Sequence, residues 1–162
     1  MVVNDGNDRP AAMVPDDPAA IIRILGLEPL PDEGGMFRQM YKDGSGTAIY
    51  FMVADGDFSA LHLLDAPEIY HWYGGAPLDL LLLGPDGDAE RVLVGPNLLE
   101  GQRPQVVVPA GVWQGSSSTG RWSLVGTTMA PAFSWEGFQL GDATELCAAY
   151  PRVASRVREL VR

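Results

Sequence analysis

Histidine, cysteine and positive charge are the scarce ingredients of this 162-residue chain, which holds two histidines, one cysteine and eleven lysines and arginines. A single cysteine, Cys147, excludes an internal disulfide and any cysteine-rich zinc site. It stands in the small-residue run "ELCAAY", which reads as helix, so a buried structural thiol is expected. The 21 acidic residues leave a net charge of −10, which argues against a nucleic-acid partner, because phosphate backbones are held by clustered Lys and Arg. The basic residues are scattered apart from the last helix, where Arg152, Arg156, Arg158 and Arg162 recur and are expected to balance its C-terminal pole. Long apolar runs are absent too. The longest, "LDLLLL" from Leu78 to Leu83, contains Asp79 and is strand-sized, so no membrane span is expected. The N-terminus is acidic where a secretory leader would be basic and then apolar. A cytoplasmic protein with no membrane partner is the expectation.

What the chain does have is 19 glycines and 13 prolines, a composition that favours many short strands joined by turns. Residues 1–15 are polar and read as a loose tail, and residues 16–162 as one domain. "DDPAAIIRILGLEPLP" predicts a short helix capped by Asp16 or Asp17, with Pro18 in its first turn, Gly26 at its end and Ile21, Ile22 and Leu25 as its buried stripe. From Gly34 to about Phe138 come strand-length runs: "MFRQMY", "TAIYFMV", "SALHLL", "IYHWYG", "LDLLLLG", "RVLVG", "QVVVP", "WQGSS" and "RWSLVGTTMA". Turn signals such as "KDGSG", "GPDGD" and "STG" separate them, which means a β-sandwich or barrel. A helical segment from about Asp142, broken at Pro151, closes the chain.

Both histidines fall within "SALHLLDAPEIYHWYGG". Five residues separate Gly56 from His62; Leu64 follows, then Glu68 after three more residues and Gly75 after a further six. This spacing resembles the first cupin motif, a glycine, a His-x-His pair, a glutamate and a closing glycine. "VPAGVWQ" resembles the second, with Pro109 and Gly111 in the turn and Gln114 at the histidine position. Together with "LEPLPDEGGMFRQMY", "EIYHWYGGAPLDLLLLGPDG" and "LVGTTMAPAFSWEGFQL", these motifs make the chain similar to the cupin-5 family from about Ile21 to Leu140. The resemblance implies a mainly β fold: a double-stranded β-helix, or jelly-roll barrel, with short helices at its N- and C-terminal ends, a small-molecule pocket inside and a homodimer. The strand near Met36 to Tyr41 is the expected dimer edge. Members show a His-Pro-Glu-Gly-Gly run; here "LPDEGG" puts Leu30 in place of histidine and leaves Glu33, read as an exposed turn acid.

Residue by residue, the cupin ligand positions fall on His62, Leu64, Glu68 and Gln114. A divalent iron, zinc, nickel or manganese ion wants several imidazoles and a carboxylate, and here one position is apolar and another is a neutral amide. No cofactor is therefore favoured; His62, Glu68 and Gln114 are the ligands if a metal binds. Strand alternation from Glu68 sends Tyr70 and Trp72 inward and His71 outward unless a β-bulge inverts the parity. Tyr50, Tyr70, Trp72 and Trp113 are expected to line the pocket with Gln114, and Arg38 to meet an anionic group of a ligand. An imidazole exchanges protons near neutrality and an enclosed carboxyl is pushed towards neutrality. His62 and Glu68 are thus the expected catalytic pair of a metal-independent isomerase, epimerase, lyase or cyclase, with a place in biosynthesis. The alternatives are a metal-dependent, oxygenase-like cupin and a non-catalytic small-molecule binder.

Overall fold

A computed structural model describes residues 14–162, so the expected tail falls largely outside the described residues. The part of it that is described is docked. Val14 packs against the helix-covered face of the barrel, and Asp16 Oδ1 accepts a hydrogen bond from Trp122 Nε1 at 3.0 Å. Helix α1 (Pro18–Leu25) begins at Asp17, whose side chain accepts from the Ala19 N–H, and ends at Gly26 in the left-handed conformation, φ 63°. That backbone geometry is the one glycine adopts without steric cost.

Eleven strands follow: β1 (Glu28–Pro29), β2 (Met36–Lys42), β3 (Thr47–Ala54), β4 (Phe58–Leu64), β5 (Glu68–Gly75), β6 (Leu78–Leu83), β7 (Ala89–Val94), β8 (Gln105–Val108), β9 (Trp113–Ser118), β10 (Trp122–Met129) and β11 (Phe138–Leu140). They form two antiparallel sheets, one ordered β1-β2-β3-β10-β5-β8 and the other β11-β4-β9-β6-β7. The fold is therefore the mainly β jelly roll that the motifs imply. β1 and β11 are too short to stand out as strand-length runs, and β11 proves important because it lies beside His62.

Alternation along each strand divides the apolar residues between three layers. Phe51, Val53, Leu80, Leu82 and Val125 point between the sheets. On the outside of the six-stranded sheet, Met52, Trp122 and Leu124 meet Ile21 and Leu27 of the α1 segment. Outside the other sheet, Leu61, Leu81 and Leu83 meet Leu146 of α2 (Ala143–Ala149) and Val157 and Leu160 around α3 (Ala154–Glu159). Each fully buried leucine contributes about 1.5–3 kcal/mol by leaving water. Among the described residues no helix is long and apolar enough to cross a membrane.

Strand β2 is paired with β3 along its length but with β1 only at Met36 and Phe37. Among the described residues nothing pairs with its edge from Arg38 to Lys42, and Met40 and Tyr41 are exposed there.

The C-terminal arginines do more than balance a helix pole. Arg156 reaches Asp79, buried on the outer face of β6, at 3.2 Å, and donates to Ser117 Oγ. Arg91 donates to the same carboxylate through Nε at 3.1 Å. Arg162 donates to the carbonyls of Glu33 and Phe58 at 3.2 and 2.8 Å and pairs with Asp57. The helical tail is thus riveted to the barrel by charge as well as by leucines. Asp79→Ala leaves Arg156, mostly buried, without its carboxylate partner on the sheet, and is expected to cost about 3 kcal/mol in urea unfolding. Arg91→Ala, which removes a largely exposed partner, is expected to cost under about 1 kcal/mol.

Candidate functional site

The site grows from one irregularity. Strand β4 runs in register with β9 through Phe58–Ser117 and Ser59–Ser116, then resumes one residue later at His62–Gln114. Ala60 and Leu61 together face the single residue Gly115, which makes a β-bulge. A side chain at Gly115 would collide with Leu61. All four backbone groups freed by the bulge find partners. Ala60 N–H donates to Glu33 O at 2.8 Å, and Leu61 N–H to Leu160 O at 2.7 Å. Leu61 C=O accepts from Gly141 at 2.8 Å, and Ala60 C=O accepts from His62 Nδ1 at 2.7 Å.

Two consequences follow for His62. The extra residue turns its side chain inward even though Phe58, four residues earlier, faces the outer helices. The carbonyl of Ala60 can only accept, so Nδ1 carries a proton, and in the neutral imidazole the lone pair lies on Nε2. The ring is 2% exposed and stacks on Phe138 of β11, with centroids 5.4 Å apart.

Glu68 starts β5 and points into the same space. Gln114 Nε2 donates to its Oε2 at 2.9 Å, and Thr127 lies beside it. Burial pushes the Glu68 carboxyl above its ordinary value; the His62 ring, when it is protonated, opposes this, and the charge of Glu33 adds to it. Glu33, expected as an exposed turn acid, is a correction. Its side chain is only 15% exposed, accepts from Ser59 Oγ at 2.7 Å and lies 4.0 Å from His62 Nδ1. The turn reaches inward because Gly34, at φ 92°, lets the backbone pass where any side chain would strike Arg162 and the Phe58 carbonyl.

His62, Glu68 and Glu33 share a cavity of about 200 Å³ with Thr127. Its walls are aliphatic at Leu30, Ile49, Leu64 and Met129, and aromatic at Phe37, Phe133 and Trp135. Gln39, Lys42 and Thr47 complete the lining. Lys42, Phe133 and Trp135 stand on a strand edge and in a loop and carry no motif, so sequence reasoning did not single them out.

Several residues expected in the pocket lie elsewhere. Tyr50 points outward, because its neighbours Ile49 and Phe51 take the inner face; it meets Tyr73 edge-on at 6.0 Å. Arg38 lies between the inward Phe37 and Gln39, so its guanidinium is outside and donates to Leu25 O. Trp113 precedes the inward Gln114 and packs under the C-terminal helices. Tyr70 and Trp72 do point inward, but into the filled part of the barrel. Burial, with nearby carboxylates, pushes the Tyr70 phenol well above its ordinary value. Gln114 is 1% exposed and braces Glu68 from behind, outside the cavity lining. His71 faces out and bonds Thr128 Oγ1 at 3.0 Å. The bulge in β5 falls at Tyr73, after His71, so the parity from Glu68 is preserved.

The donor set does not fit a divalent metal. Only one imidazole faces the cavity, Leu64 occupies a ligand position, and Gln114 turns an N–H donor towards Glu68. Among the described residues no three His, Cys, Asp or Glu side chains gather closely enough to hold an ion.

Two facing antiparallel sheets with polar side chains from β4, β5 and β9 converging at one end define a cupin, a double-stranded β-helix protein. The chain belongs to the Cupin_5 family, described as Cupin superfamily (DUF985), whose model matches residues 19–141. It is similar to protein SO0799 from Shewanella oneidensis, with 30% identity and a TM-score of 0.85 over 91% of this chain and 99% of that one. A hypothetical protein from Leishmania major is 26% identical, with a TM-score of 0.80 over 90% and 99%. A cupin 2 conserved barrel domain protein from Rhodopseudomonas palustris, 17% identical with a TM-score of 0.57 over 82% and 83%, shares the fold. No curated protein matches significantly.

The raised Glu68 carboxyl links stability to pH. The folded state holds this proton more tightly than the unfolded chain does. Its stabilising contribution is therefore complete below about pH 4.5, the ordinary value, and is lost as pH rises through the folded value. Glu68→Gln removes this slope. Urea unfolding from about pH 4.5 to about pH 8 is expected to show wild type losing more stability than the variant; parallel profiles would contradict the assignment.

Proposed function

We propose that this chain is a small-molecule enzyme acting by metal-independent general acid/base catalysis, of the isomerase, epimerase, lyase or cyclase type. The observation that carries the reading is one apolar cavity faced by two complementary groups. His62 holds its proton on Nδ1 against Ala60 and keeps the Nε2 lone pair free. Glu68 is biased by burial to hold a proton. His62 Nε2 takes a proton from a carbon or hydroxyl of the ligand, and Glu68 gives one to the oxygen where charge develops. Gln114 and Ala60 are positioning groups, and Glu33 stabilises the imidazolium as it forms.

Two copies joined along the open Arg38–Lys42 edge of β2 form part of the proposal, since such an edge invites strand pairing. Light scattering of the purified protein reads it: a dimer mass is expected, and a monomer mass refutes it.

The chemistry is tested by deuterium uptake from D2O into cyclic keto acids and hydroxy acids, followed by NMR. His62→Ala and Glu68→Gln are each expected to lower the exchange rate by about 10²–10⁴-fold. Wild-type rates in both variants would refute acid/base catalysis. A non-catalytic binder would show affinity lost in the variants with no exchange in any protein.

A further inference from the structure

Resting on that acid/base reading of the same cavity, we infer that its substrate is a compact cyclic monocarboxylic acid whose ring fills the apolar belt and whose carboxylate is held by Lys42 at the rim. Size comes first. A cavity of about 200 Å³ equals roughly seven water volumes, room for about ten non-hydrogen atoms, and lies below the usual range for drug-sized ligands. The walls then select shape. Phe37, Phe133 and Trp135 present aromatic surface to the cavity, and Ile49, Leu64 and Met129 aliphatic surface. Trp135 is 55% exposed and meets Phe133 edge-on at 5.0 Å. A flat ring buries area against all of them and can stack on an aromatic face.

Charge selects the rest. Among the described lining residues Lys42 is the sole cation apart from the imidazole. Its Nζ donates to Phe133 O at 3.1 Å, which uses one of an ammonium's three donors. Among the described residues it belongs to no ion pair. A single ammonium at the mouth, above an apolar belt and a His–Glu floor, matches one carboxylate at one end of a ring and a carbonyl or hydroxyl at the other. It does not match a phosphate ester or a nucleotide-linked sugar. Those want bidentate arginine or several cations, and the net charge of −10 repels polyanions.

Isothermal titration calorimetry with four probes tests this: 4-hydroxybenzoate, neutral 4-hydroxybenzyl alcohol, phenyl phosphate and UDP-glucose. Wild type is expected to bind the benzoate at least about tenfold more tightly than the alcohol or phenyl phosphate, and to show no heat with UDP-glucose. Lys42→Met should abolish the benzoate preference with an unchanged melting temperature, Lys42→Arg should retain it, and His62→Ala should weaken benzoate and alcohol alike. Equal affinity for acid and alcohol, failure to bind either, a preference that survives Lys42→Met, or tight binding of UDP-glucose would overturn the inference. The two readings fail separately. If deuterium exchange still depends on His62 while the acid preference is missing, the substrate class is wrong and the chemistry stands. If the preference holds while exchange ignores His62 and Glu68, the carboxylate site stands and the catalysis does not.

Discussion

The one-residue bulge in β4 is the constraint on which the site depends. Without Ala60 or Leu61 the strand would keep strict alternation, and His62 would face the same side as Phe58, under the C-terminal helices. With the bulge, each freed backbone group recruits a different part of the chain: the Glu33 turn, the C-terminal segment at Leu160, the β11 segment at Gly141, and the imidazole of His62 itself. Buried peptide groups are costly to leave unpaired, so these four contacts hold together in the folded state. The fold thereby sets the tautomer of the His62 imidazole by the same hydrogen bonds that close the barrel.

Electrostatics then divides the molecule into a structural and a chemical side. On the outer face of the five-stranded sheet, a buried carboxylate, Asp79, is matched by Arg91 and Arg156. Inside the barrel, the described neighbours of Glu68 are an amide, a hydroxyl, an imidazole and the Glu33 carboxylate, so the cost of desolvation dominates and its carboxyl is pushed above the ordinary value. The contrast comes from environment, since both are carboxylates on adjacent parts of one jelly roll. Arg162 connects the two sides: it grips the backbone of the Glu33 turn from outside and so steadies a carboxylate that faces the cavity.

Much of the fold was legible because its determinants are local. Asp17, Pro18 and Gly26 cap one helix at sequence-readable positions, and Gly/Pro turns separate runs of strand length. Glu68 could be followed to Trp72 by parity because no bulge interrupts that stretch. Tyr50 could not be assigned the same way. "TAIYFMV" is apolar on both faces, since α1 covers the outside of β3 as fully as the core fills the inside, and an uninterrupted apolar run carries no alternation to read. Trp113 was obscured for the same reason by the C-terminal helices. Glu33, Lys42, Phe133 and Trp135 come from a turn, a strand edge and a loop, where orientation depends on what lies opposite.

The sequence by itself determined the strand-rich fold, the family to which the chain belongs, and the placement of His62 and Glu68 in one motif with leucine and glutamine at two metal-ligand positions. Those features are written in residue type and spacing, which survive without coordinates. Tertiary structure alone decided that Glu33 turns inward, that Arg38 and Tyr50 turn outward, that Nδ1 of His62 holds the proton, and that one ammonium stands at the mouth of a small apolar cavity. Each of these is a matter of which distant segment fills the space beside a side chain, and contacts between distant segments are made only when the two sheets close on each other.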